Sequence, residues 1–183
     1  MSGLPYYSVS DISDSVVPAN YAVGRPSVIG TCIHTTGGTN SIHWLTSGSA
    51  ASGNPASADY LISRNGQIYQ LGKQGRYPYH AGQSSFKIRG VTYTGDQLSS
   101  VLLGIEIEQV GSQICTLAQN QALAQIIVQS GIAFYWRWPY YVLGHYEIAT
   151  PTGRRSDPQG FEWGDFMGQL LAYARAYNIP GVS

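Results

Sequence analysis

At Asn65-Gly66 the chain carries a dipeptide that closes β-hairpins, and β-prone runs lie on either side of it, residues 59–64 and 67–71. Asn and Gly tolerate the left-handed backbone of a tight turn, so this stretch predicts two antiparallel strands. An all-helical fold is thereby excluded. Residues 28–34 (VIGTCIH) predict another strand. Residues 101–109 (VLLGIEIEQ) predict one that alternates near its end, with Ile105 and Ile107 on one face and Glu106 and Glu108 on the other. Residues 140–144 predict a shorter apolar strand.

Two helices are legible among these strands. Thr116 and Gln119 have the spacing of a capping box, which opens a helix running to about Phe134. Leu123, Ile126, Ile127 and Phe134 share one of its faces. Near the other end of the chain, Trp163, Phe166, Met167, Leu170, Leu171, Ala174 and Tyr177 recur with helical period. That stripe predicts a core-facing helix. Helices interleaved with strands give an α/β fold, a single domain with a central mixed β-sheet flanked by helices. Residues 1–27, with turn signals at Pro18 and Pro26, read as an irregular segment packed on a domain of residues 28–183. Residues 37–57 are rich in Gly, Ser, Thr and Asn. They read as a long loop with a short helix around 41–45, and long loops in compact domains often carry function.

Composition excludes several classes. The chain has 183 residues, 43% of them hydrophobic, enough to bury a core. Ten basic and ten acidic residues cancel. A neutral chain does not offer the clustered cations that nucleic acid demands. Lysine occurs only at Lys73 and Lys87, so no polybasic patch addresses a membrane. No apolar run approaches the roughly 20 residues of a transmembrane helix. The N-terminus lacks the basic and apolar regions of a secretory signal, so synthesis in the cytoplasm is expected. Cys32 and Cys115 are too few for a disulfide framework and read as two separate buried thiols.

Four histidines carry the chemistry: His34, His43, His80 and His145. His34 ends a predicted strand and enters a Gly-rich loop. His145 follows another strand, and Asp157 lies twelve positions on. Two imidazoles and one carboxylate, leaving a fourth position open, have the form of a catalytic zinc site. Ligands scattered without a compact motif leave the ordinary structural roles of histidine open.

Five blocks then occur in order: CIHTTGG at 32–38, SADYLISRNGQIYQL at 57–71, YHAG at 79–82, LGIEIEQ at 103–109 and GHYEIATPTGRRSDP at 144–158. Together they resemble the type-2 N-acetylmuramoyl-L-alanine amidases, a family that includes phage endolysins, anhydromuropeptide-recycling amidases and peptidoglycan recognition proteins. The resemblance covers about residues 28–175. It implies the peptidoglycan recognition protein-like fold and one zinc ion per chain, held by His34, His145 and Asp157. Glu106 stands where the cytosolic branch has its catalytic acid, and would take a proton from zinc-bound water. Glu108 shares its strand face and is not excluded by sequence. Arg155 stands where many members have Lys. It would stabilise the oxyanion, since a guanidinium cannot donate its proton at neutral pH; its alternative is simple pairing with a carboxylate. His80 matches a position near the substrate groove, with a loop-stabilising role as the alternative. Trp44 could stack on a sugar or face the core. Ala58-Asp59 replaces a Tyr-His pair of the phage branch, so no catalytic role passes to Tyr60, which reads as core. Cys32 shares the strand face of His34 and reads as a buried thiol beneath the site.

The activity implied is hydrolysis of the amide between the lactyl group of N-acetylmuramic acid and L-Ala. Small size and the absence of a signal resemble a phage-type endolysin, a monomer that acts on the host cell wall after release. A cytosolic amidase recycling soluble muropeptides is one alternative. A peptidoglycan-binding module without turnover is the other. The partner in each case is peptidoglycan or its muropeptides, with no nucleic acid and no membrane.

Overall fold

Short strands dominate the computed structural model, which describes residues 4–111, 113–133 and 141–179. In chain order, β1 (Val9–Asp11) and β2 (Tyr21–Val23) precede β3 (Gly30–Thr35). A helical run follows, made of α1 (Ser41–His43), a π-helical stretch Trp44–Gly48 and α2 (Ser49–Ala51). Next come β4 (Tyr60–Ile62), β5 (Ile68–Gln70), β6 (Arg76–Pro78), β7 (Ser85–Ile88) and β8 (Val91–Thr94). Helix α3 (Asp96–Val101) leads directly into β9 (Leu102–Ile107). The chain then forms α4 (Leu117–Ala133), β10 (Val142–Gly144), α5 (His145–Ile148) and α6 (Trp163–Ala176).

Six strands form one sheet in the order β1-β5-β4-β9-β3-β10. Only β4 and β5 pair antiparallel; the other four pairings are parallel. The sheet is therefore mixed, as the sequence predicts. Strand alternation divides its two faces. Ile33, Ile62, Ile68, Ile105 and Ile107 pack with Leu123 and Ile127 of α4 and Phe166 and Leu170 of α6. On the other face Cys32 and Leu102 pack with Ile88 and Leu98. The same face carries His34 and Glu106 further along, two and four residues beyond Cys32 and Leu102.

Several expectations shift in detail. The hairpin forms with a three-residue loop rather than a two-residue turn. Ser63 N donates to Gln67 O at 3.0 Å and Gly66 N to Ser63 O at 2.9 Å, with Gly66 at φ 86°. Gly66 thus supplies the left-handed residue of a bulged three-residue hairpin. The first 27 residues are not wholly irregular: β1 adds an edge strand to β5, and β2 pairs with β6. The helix around 41–45 extends to residue 51. Val101 belongs to α3, not to the following strand.

The capping box is present. Gln119 N donates to Thr116 Oγ1, and Thr116 N donates to Gln119 Oε1, each at 3.1 Å. In α6 the buried stripe is Phe166, Leu170, Tyr173 and Ala174, whereas Met167 and Tyr177 are each 37% exposed. The stripe is turned because α6 also meets the N-terminal segment, where the Tyr173 hydroxyl donates to Pro5 O at 2.5 Å. Phe134 and Tyr140, expected at an element's ends, lie outside the described residues.

A buried ion pair ties residue 25 to the base of the sheet. The Arg25 guanidinium grips both carboxylate oxygens of Asp59 and donates to Leu102 O at 2.7 Å. Asp59 Oδ2 also accepts from Gly104 N at 2.9 Å. Removing one partner strands a buried charge, which costs about 3–5 kcal/mol. Arg25→Ala is therefore expected to lower unfolding free energy by that order in urea titrations.

Candidate metal centre and groove

The sheet itself brings three of the candidate groups together. His34 on β3 and Glu106 on β9 are register partners in a parallel pair, so they stand side by side. On the other side of β3, Gly144 of β10 pairs with Ile33, and His145 follows immediately. All three lie at the carboxyl ends of parallel strands, where open α/β sheets commonly bind ligands. Asp157 arrives from the segment between α5 and α6. Its backbone oxygen accepts from Tyr146 N at 3.0 Å, which fixes it against the first turn of α5.

Three ligand atoms meet. His34 Nδ1 and His145 Nδ1 are 3.0 Å apart, His145 Nδ1 and Asp157 Oδ2 3.0 Å, and His34 Nδ1 and Asp157 Oδ2 3.3 Å. Tetrahedral zinc with bonds of about 2.0–2.1 Å has ligand–ligand edges of about 3.3 Å. The triangle is close to that size, and two nitrogens with one carboxylate oxygen are donors that zinc accepts. These residues therefore fit a metal ion. A second group, Cys32, His34 and His80, also lies close enough to be considered. It shares His34, whose Nε2 is already 3.1 Å from His80 Nδ1. Burial also pushes the Cys32 thiol well above its ordinary pKa, which leaves it protonated and a poor ligand.

The electrostatics suit a cation at the first group. Burial holds His34 down to about 4, against the opposing pull of Asp157, so its ring is neutral. Burial alone would raise Asp157, but hydrogen bonds with His145 and His34 outweigh it and hold the carboxyl well below the usual range. Glu106 is pushed up to about 8, by burial first and Asp157 second, with Arg155 opposing. Its Oε2 is buried without a partner among the described residues.

A groove of about 440 Å³ opens over this cluster, lined among others by Thr36, Asn40, Trp44, Glu106 and Arg155. A second lobe of about 330 Å³ continues past Asn54, Tyr79 and Asp96, with His145 and Arg155 common to both. Trp44 is 45% exposed and lines the groove, so it does not face the core. Arg155 is exposed, and among the described residues no ion pair or hydrogen bond holds its guanidinium. It makes no close ion pair with a carboxylate among the described residues, although its charge opposes the rise at Glu106. Glu108 lies beyond β9, its backbone bonded to Ile62 O at 2.9 Å and its carboxylate accepting from Arg64 N at 3.4 Å. It borders the hairpin loop and does not line the groove. His80 also borders the groove but is only 8% exposed. Tyr60 packs on the core, and Cys32 and Cys115 are separate buried thiols. Asn40 and Asn54 also line the groove, and the sequence did not single them out, because polar loop residues carry no spacing signal.

The mixed sheet thus carries at its carboxyl edge, open to a groove, two histidines and one carboxylate that could hold a metal ion. A family profile described as N-acetylmuramoyl-L-alanine amidase matches residues 24–160, and the chain belongs to that family. The 1,6-anhydro-N-acetylmuramyl-L-alanine amidase AmpD of Enterobacter cloacae is 30% identical over 115 residues, 62% of this chain and 57% of that protein. The chain thus matches little more than half the length of that curated relative. Solved structures share the fold. A selenomethionine AmpD derivative superposes with a TM-score of 0.67 at 23% identity, covering 88% of this chain and 94% of that one. AmpDh3 of Pseudomonas aeruginosa, in complex with an anhydromuramic pentapeptide, gives 0.64 at 21% identity, covering 100% of this chain and 76% of that one. The amidase LysC of Clostridium intestinale gives 0.59 at 12%, covering 90% and 98%. Among the described residues no helix is long and apolar enough to cross a membrane.

Proposed function

We propose that this chain is a zinc-dependent N-acetylmuramoyl-L-alanine amidase of endolysin type, a monomer that cuts between N-acetylmuramic acid and L-Ala of the stem peptide in the host cell wall after release. What carries the reading is the meeting of His34 Nδ1, His145 Nδ1 and Asp157 Oδ2 beneath a groove that also holds Glu106 and Arg155. Zinc bound there supplies a Lewis acid that polarises a carbonyl and lowers the pKa of water. The chain's own groups do the rest. Glu106, with its unpartnered Oε2, would take the proton of the attacking water in its ionised form, which a cation bound beside it would favour over the neutral acid that burial prefers, and would return that proton to the departing alanine nitrogen. Arg155 lends charge to the developing oxyanion. The exposed ring of Trp44 offers a flat apolar face to a sugar.

Digestion of purified sacculi, followed by mass spectrometry, tests this reading. Released stem peptides with a free N-terminal L-Ala are expected. Binding without release would make the chain a recognition module. A second reading is a recycling amidase acting on soluble anhydromuropeptides, favoured by the 30% identity to the Enterobacter enzyme. It predicts turnover of soluble anhydromuropeptides far above that of intact sacculi.

Arg155→Ala is expected to lower turnover per bound zinc by roughly 100-fold, the size of losing one oxyanion donor. Arg155→Lys should restore much of it, because a point cation still meets the charge without the fork geometry. Zinc content should be unchanged in both. Unchanged turnover per zinc in Arg155→Ala would remove Arg155 from the reaction.

A further inference from the structure

We infer that the second lobe of the groove takes the stem peptide and that Asp96, on its wall, binds a free ammonium group of that peptide, such as the side-chain amine of a diamino acid. Asp96 is then a specificity-determining residue. The inference rests on the amidase reading above for the identity of the ligand.

The two lobes share an inner wall and differ in charge. His80, His145 and Arg155 border both. Outside the candidate metal ligands, Glu106 and Arg155, no carboxylate, lysine or arginine lines the first lobe; Thr39, Asn40 and Trp44 do. That lining suits an uncharged sugar, which offers hydroxyls and apolar ring faces. The second lobe, of about 330 Å³, carries a single carboxylate, Asp96, with Arg155 at the shared end. A glycopeptide lying across the cluster is neutral on its sugar side and carries charges of both signs on its peptide side. Charge complementarity therefore puts the peptide in the second lobe, with its cation at Asp96.

The fold presents Asp96 to this lobe. Ser99 Oγ accepts from His80 N and Ala81 N, at 3.2 and 3.0 Å, which fastens α3 against the segment 79–82. Asp96 lies three residues before Ser99, so it neighbours Ser99 on the helix surface one turn back. Gly95 N donates to Ser84 O at 3.0 Å and holds the start of the helix in place. Asp96 is exposed, and among the described residues no hydrogen bond or ion pair holds its carboxylate. Asp59 and Asp14, by contrast, are paired with Arg25 and Lys73. Tyr79 lines the same lobe as a neighbour of Asp96: burial first, and the Asp96 charge second, raise the pKa of its hydroxyl. A carboxylate beside an aromatic wall suits an ammonium group on an alkyl stem.

Two probes isolate that ammonium: N-acetylmuramoyl-L-Ala-γ-D-Glu-L-Lys, and the same compound with the lysine Nε acetylated. Binding is measured by calorimetry on the metal-free protein, and hydrolysis on the zinc-loaded one. The wild type is expected to bind the free amine about 5-fold more tightly, the upper end for an exposed ion pair. The difference should appear in KM rather than kcat, and added salt should shrink it. Asp96→Asn should erase the difference between the two probes, and Asp96→Lys should invert it. Equal affinity of the wild type for both probes overturns the inference, as does an Asp96→Asn protein that keeps the wild-type preference. An Asp96→Asn loss equal for both probes makes the residue structural and overturns it too. In each of these cases cleavage of both probes leaves the amidase reading standing. An amine preference that needs Asp96, without cleavage by the zinc-loaded protein, supports the inference and defeats the amidase reading instead. Binding of neither probe defeats both.

Discussion

Glu106→Gln is expected to keep the fold and the zinc and to lose at least roughly 100-fold in amide hydrolysis, the low end for removing a general base. The amide preserves shape but cannot accept the proton. Glu108→Gln should be mild, because that carboxylate is turned to the Arg64 amide beside the hairpin loop. A reversed pair of results would mean that Glu108 is the base. The same substitution should stabilise the metal-free protein in a pH-dependent way. Burial pushes Glu106 up to about 8, so the folded state prefers the neutral acid. The unfolded chain releases that proton near pH 4.3. Below that pH the group adds no penalty. Between about 4.3 and 8 the wild type loses up to about 1.4 kcal/mol of stability per pH unit, and above that window the loss is complete. Glutamine has no such dependence. The advantage of Glu106→Gln in Tm should therefore be small at pH 4 and grow by pH 8. Equal Tm values for the two proteins at pH 8 would show that the carboxylate is not desolvated.

What the sequence made legible depended on local rules. The Thr116–Gln119 box is a short-range hydrogen-bond pattern, and it forms as written. The alternation of Ile105 and Ile107 against Glu106 follows from the pleat, and the sheet honours it. Tertiary effects were not legible. No local rule shows that β1 would find β5, a partner nearly sixty residues away. Nor does helical period alone choose Tyr173 over Met167; a backbone carbonyl at Pro5 decides that. The strands β6, β7 and β8 are short and carry no strong alternation, so they passed unnoticed.

At the site, residue type and block order were enough to name His34, His145, Asp157, Glu106 and Arg155, and the fold brings all five to one groove. Position along a strand explains why: His34 and Glu106 are partners in register, so a residue-level match carries spatial meaning. His80 was seen but its surroundings were not. Its ring lies against Leu102 O and His34 Nε2, and sequence does not encode which atoms meet across a sheet.

Asp157 offers the sharpest test of the metal centre. Imidazole ligands supply no charge to offset a dication, so the carboxylate is the only anion among the three candidate ligand atoms that meet. Asp157→Asn keeps size and one carbonyl oxygen but removes that charge. Zinc affinity should fall by at least about 100-fold, near the upper end of the loss for disturbing a ligand's partner alone, and hydrolysis should fall with it. Loss of the ion should not unfold the chain, because Asp157 lies at the groove, outside the clusters packed on α4 and α6. Asp157→Cys separates charge from geometry. A thiolate is a good zinc ligand and restores the negative charge, although its longer bond shifts the ion by a few tenths of an ångström. This variant should regain zinc and part of the activity. The measurement is zinc per chain after dialysis against a weak chelator, with circular dichroism as the control for fold. If Asp157→Asn keeps a full zinc equivalent, the third ligand lies elsewhere and the triangle of His34, His145 and Asp157 is a hydrogen-bonded cluster, not a metal site. If Asp157→Asn loses zinc and Asp157→Cys regains it, the carboxylate acts on the ion directly, because a cysteine would not restore a hydrogen bond to either imidazole of comparable strength.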